Sequence, residues 1–113
     1  MQITFVARGT DDSQLRECTL ERMRFALRRL TTWVPRARVQ FTDVNGPRGG
    51  LDKCCQVELS TESAGTVVIA SLASDWRTAL ERSLQRATRV LTRNLKRNQR
   101  PQRGRAARLE LEG

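Results

Sequence analysis

The sequence predicts an α+β fold in the order β-α-β-β-β-α, with one four-stranded sheet and two helices packed on one face. Three observations predict it. Three short stretches alternate apolar and polar residues, the period of a half-buried strand, and a fourth, TVVIASL, reads as a strand as well. Two longer stretches repeat apolar residues at helical spacing. Both helical stretches follow clusters of Ser, Thr and Asp, which cap helix N-termini. The 113 residues suit one domain.

In order, residues 2–7, QITFVA, alternate and are rich in β-formers. TDDS at 10–13 caps a helix expected to run to about Leu30, with Thr19, Leu20, Met23, Ala26, Leu27 and Leu30 on one arc and Glu17, Glu21, Arg24 and Arg28 opposite. Pro35 forbids its continuation. Residues 37–44 form the second strand, with Val39 and Phe41 on one side, and residues 53–60 the third, with Cys55, Val57 and Leu59 together. TESAG at 61–65 reads as a turn and TVVIASL at 66–72 as the fourth strand. ASD at 73–75 caps a second helix from near Trp76 to about Asn98, and Pro101 ends any extension. Residues 99–113 carry no periodic core signal and read as a basic, flexible tail.

The net charge is +9, and its distribution matters more than its sum. Residues 1–76 hold 10 basic and 9 acidic side chains; residues 77–113 hold 11 and 3. A field concentrated in the last third suits a polyanionic partner, nucleic acid before anionic lipid. No apolar run is long enough to span a membrane, and MQITFVARGTDD lacks the plan of a signal peptide, so a cytoplasmic address is expected.

The second helix concentrates the signal. Arg82, Arg86, Arg89, Arg93, Lys96, Arg97 and Arg100 share an arc of about 100°. Leu80, Leu84, Ala87, Leu91 and Leu95 occupy the opposite side. Glu81 is the only acid between Arg77 and Arg108. Like charges four residues apart repel, so a row of this kind calls for a counter-ion. Arg outnumbers Lys 19 to 2, and only the guanidinium fork grips phosphate in bidentate fashion. On the first helix Arg22, Arg28 and Arg29 stand near Glu17 and Glu21 and read as solvated side chains.

The glycine-rich NGPRGGLDK at 45–53 joins two strands, whereas a nucleotide-binding glycine loop leads into a helix. It reads as a hairpin turn, with Arg48 and Lys53 at its edges as secondary phosphate contacts. Asp43 and Asp52 read as turn and strand-end residues. The three cysteines are odd in number, and Cys54 and Cys55, adjacent on a strand, point to opposite faces. No disulfide framework, metal site or cofactor is expected. With no histidine and no paired carboxylates, the chain is not expected to be an enzyme. Aromatic content of 4% disfavours a stacking platform for single-stranded RNA and favours backbone and groove contact with structured RNA.

The start MQITF, the loop DVNGPRGGLDKCC and the helix DWRTALERSLQRATRVLTRNLKR together resemble the ribosome hibernation-promoting factor and ribosome-associated inhibitor family, also called sigma-54 modulation proteins. The Asn-Gly-Pro-Arg-Gly-Gly loop followed by Asp52, Lys53 and Cys55 is similar to a short, single-domain branch. The resemblance spans about residues 1–97. It implies a ribosome-binding domain over residues 1–98 that docks on rRNA of the small ribosomal subunit, where mRNA and tRNA sit, and silences translation without catalysis. The family's basic positions match Arg86, Arg89, Arg93 and Lys96 or Arg97, with Arg29 on the first helix. Asp75-Trp76-Arg77 departs from the family's frequent tyrosine after the aspartate. A C-terminal dimerisation domain, present in long members, is not expected, and the chain is expected to be a monomer. Two other readings stay open: regulation of a protein partner of the sigma-factor kind, and general binding to structured RNA.

Overall fold

The structure, a computed structural model, describes residues 1–8, 13–44 and 52–99. Its elements are β1 (Gln2–Arg8), α1 (Ser13–Ala26), β2 (Arg36–Asp43), β3 (Lys53–Ser60), β4 (Thr66–Ala73) and α2 (Trp76–Gln99). The strands form one mixed sheet in the order β1-β2-β3-β4. β1 and β2 run parallel, joined through α1; β2–β3 and β3–β4 are antiparallel.

Register puts the alternating residues into rungs. Phe5, Val39, Val57 and Ile69 lie side by side, as do Ile3, Ala37, Leu59 and Val67. This face is roofed by the helices, which contribute Met23 and Leu27 from the α1 region and Leu80, Leu84, Ala87, Leu91 and Leu95 from α2. Phe41 is fully buried, a burial that contributes about 1.5–3 kcal/mol. Its ring stands edge-on to Trp76 at 5.4 Å and 87°, and 5.8 Å from Phe5. The opposite face of the sheet carries Gln2, Thr4, Arg38, Val68, Ala70 and Leu72, all exposed.

Two contacts set the helices against each other. Arg77 donates to the Cys18 sulfur at 3.6 Å, and Arg22 meets Glu81. Each pair is 59 residues apart in sequence, so α1 and α2 run side by side in the same direction.

The expected helix to Leu30 is shorter: α1 ends at Ala26 and the chain continues in turns. Leu30 N–H donates to the Leu27 carbonyl and Trp33 N–H to that of Leu30, three-residue turns that keep Leu27 in the core after the helix has stopped. The 61–65 turn is tied by its threonine. Thr61 Oγ1 donates to the Gly65 carbonyl at 2.6 Å and accepts from Ala64 N–H at 2.8 Å. Gly65 has φ +76°, a conformation open to glycine and costly for side chains with a Cβ. Residues 10–12 of the first cap, most of the glycine-rich loop including Arg48, and residues 100–113 including Arg100 lie outside the described residues.

Candidate nucleic-acid interface

The start of α2 is fixed by Asp75. Its carboxylate accepts from Thr78 N–H at 2.8 Å and from the Thr78 hydroxyl at 2.9 Å. These bonds, the backbone one first, hold the Asp75 carboxyl below the usual carboxylate range. The buried hydroxyl of Ser83 donates to the Cys55 carbonyl at 2.6 Å, locking the rotation of α2 on the central strand β3. With the leucine row facing inward, the basic row has one direction left.

Arg82, Arg86, Arg89, Arg93, Lys96 and Arg97 are all exposed on α2. The first two bend over the outer edge of β4. Arg82 donates to the Leu72 carbonyl at 3.1 Å and Arg86 to the Ser71 hydroxyl at 3.5 Å. Both acceptors are neutral groups; the Asp75 carboxylate at the start of the helix lies within electrostatic reach of Arg82. Further along, a groove of about 710 Å³ is lined by Thr88, Arg89, Thr92, Arg93, Lys96 and Arg97. Among the described residues, Arg82, Arg86, Arg89, Arg93 and Lys96 form no ion pair with a carboxylate.

Glu81, the acid that interrupts the basic helix, is turned aside. Arg22 of α1 grips it with two hydrogen bonds, Nε to Oε2 at 2.6 Å and Nη2 to Oε1 at 3.1 Å. That contact raises the pKa of the guanidinium, through the hydrogen bond first and the charge second. Arg22, read as solvated in the sequence, instead neutralises the carboxylate beside the basic row. The two residues lie 59 positions apart, a separation no local pattern reports.

The remaining sequence candidates are placed apart. Arg29 is exposed in the turns after α1. Lys53 is committed within the fold. Its ammonium lies 3.0 Å from Asp43 and 3.3 Å from Asp52, with the Trp76 ring centroid at 5.4 Å. The hydrogen bond to Asp43 leads in raising its pKa. The pair is legible once the hairpin register is known, since Asp43 and Lys53 face each other across β2 and β3. Asp52 is buried and closes the ladder by accepting Val44 N–H at 2.9 Å. Cys55 is buried in the core, and burial pushes its thiol up to about 12, whereas Cys54 on the uncovered face is half-buried.

Among the described residues, no helix is long and apolar enough to cross a membrane. No protein-family model matches the chain, and no curated protein matches it significantly. Solved structures do. A ribosomal subunit interface protein from Coxiella burnetii aligns with a TM-score of 0.63 at 15% identity, over 82% of this chain and 96% of that one. The Protein Y N-terminal domain from Thermus thermophilus aligns with a TM-score of 0.55 at 18% identity, over 76% and 90%. The chain therefore shares its fold with these two proteins, the fold expected from the family that the sequence resembles.

Proposed function

We propose that this chain is a non-catalytic RNA-binding protein that docks on the small ribosomal subunit through the outer face of α2 and silences translation by occupying the decoding channel. One observation carries the reading: a row of exposed cations on a rotationally locked helix, with the Glu81 carboxylate beside it neutralised from α1. Such a row binds phosphate backbones with little rearrangement. The fold likeness and the sequence resemblance support the ribosome as the source of those phosphates, and a cytoplasmic location follows in this reading. Residues 1–98 form the docking domain in this reading.

Co-sedimentation with purified small subunits at two salt concentrations tests it. The parent is expected to pellet with subunits at low salt and to be released at high salt. The variant with Arg86→Glu, Arg89→Glu and Arg93→Glu is expected to stay in the supernatant. A variant that pellets as well as the parent overturns the assignment to α2. Nuclease-resistant co-purification with a protein, without rRNA, overturns the ribosome reading itself.

A further inference from the structure

A second basic concavity lies on the other flank of α1. It is a groove of about 520 Å³ between α1 and the edge strand β1. Its apolar lining is Met1, Ile3 and Leu20, and its cations are Arg16, Arg24 and Arg28. Arg16, Leu20 and Arg24 recur at four-residue steps, on the side of α1 turned away from Arg22 and therefore away from α2. No carboxylate lines the groove among the described residues, and its three arginines form no ion pair there. Glu17 and Glu21 share the outer arc of α1 with Arg24 but do not line the groove.

Two of the cations are held in place by the fold. Arg28 donates to the Phe25 carbonyl at 2.7 Å, and its guanidinium carbon lies 4.1 Å from the centroid of the Phe25 ring. Arg16 lies 5.8 Å from the centroid of the Phe5 ring. Ordering before binding lowers the entropy that a ligand must offset. The α2 row differs in its residues: arginines and a lysine with threonines between, and no apolar residue among those that line its groove.

We propose that the groove between α1 and β1 binds a nucleoside phosphate, its base lying on Met1, Ile3 and Leu20 and its phosphates held by Arg16, Arg24 and Arg28. The volume falls within the roughly 300–1,000 Å³ of small-ligand sites. Guanidinium forks match phosphate oxygens, and a methionine thioether packs well against a flat ring. A bare phosphate makes no use of the apolar residues, and an uncharged apolar ligand makes no use of three arginines. The nucleotide is either free or an unpaired residue of a bound RNA. The site does not depend on the ribosome reading, since it uses none of the α2 row.

Fluorescence titration with mant-GDP and mant-ADP, with pyrophosphate as competitor, tests the free form. Saturable binding with a Kd below about 1 mM is expected, with pyrophosphate at least about tenfold weaker than the nucleotides. The Arg16→Glu, Arg24→Glu variant should lose at least about tenfold, whereas Arg89→Glu, Arg93→Glu should stay within about twofold. An RNA hairpin with one unpaired 3′ purine, compared with its blunt form, tests the bound form. An advantage of about threefold or more for the overhang, lost in the Arg16→Glu, Arg24→Glu variant, assigns the site to RNA. Saturable nucleotide binding without that advantage assigns it to a free nucleotide. Absence of both, pyrophosphate equal to GDP, or equal losses in the two variants overturns the proposal. Circular dichroism of each variant verifies folding. Loss of subunit binding in the α2 variant alone, with mant-GDP binding kept, separates the fate of this site from that of the ribosome reading.

Discussion

Replacing Arg89 and Arg93 by glutamine changes the salt dependence of RNA binding by an amount the helix geometry sets. From Arg82 to Arg97 the row spans fifteen residue steps, about 22 Å of axis. One strand of a duplex presents a phosphate every 3.4 Å or so, hence about six phosphates over that length. Six exposed cations occupy it. Full engagement gives a slope of log K against log salt of about −5, and a fall of about three orders of magnitude between 50 and 200 mM salt. Removing two contacts brings the slope to about −3.6 and the fall to about two orders. Both side chains are exposed and far from the core, so folding stability should shift by no more than about 0.5 kcal/mol. Anisotropy titrations of labelled subunit rRNA at four or five salt concentrations measure the slope directly. A slope unchanged within about half a unit refutes the reasoning, because charges that release no counter-ions are not on the phosphates.

Other outcomes follow from single contacts. Ser83→Ala leaves the helix without its bond to the Cys55 carbonyl and should lower unfolding free energy by about 1 kcal/mol in urea melts. Asp75→Ala should lower the urea midpoint by removing the helix cap; because the folded pKa is lowered, that contribution is present above the unfolded carboxylate range and fades as pH falls through the folded value. The buried Thr19 hydroxyl has no partner among the described residues, so Thr19→Val should stabilise by up to about 1–2 kcal/mol in the same melts. At alkaline pH the unfolded Cys55 thiol ionises from about 9.0 while the folded one resists to about 12. Stability should therefore fall with rising pH across that window, by about 1.4 kcal/mol per unit. Lys53, whose folded pKa is raised, adds to the fall only above its ordinary 10.5. Thermal melts of Cys55→Ala should then be flat between about 9 and 10.5, and an unchanged slope refutes the assignment.

β1, β2, β3 and α2 were legible because each carries a recognisable period, and β4 as an apolar run between turn and cap signals. Alternation in 53–60 and the leucine spacing in α2 give bounds within a residue or so of those observed. The end of α1 was not, since Leu27 and Leu30 keep helical spacing while the backbone has passed into tighter turns. Apolar periodicity reports which side chains face the core and is blind to which hydrogen bond carries them there. The exposed basic row of α2 was equally legible, being local to one helix. What isolates and orients it was hidden: Arg22 with Glu81 and Ser83 with Cys55 are partners across 59 and 28 residues. Lys53 falls between, a cation whose two carboxylates become apparent once strand register is assigned.

Neighbouring thiols on opposite sides of one strand give this protein two built-in clocks. A disulfide reagent added to the native state reaches the sulfur on the uncovered side at a rate set by local access. It meets the adjoining one only after the helix layer has lifted from β3. The slow phase thus times opening of the whole domain, one peptide bond from a position that times the surface.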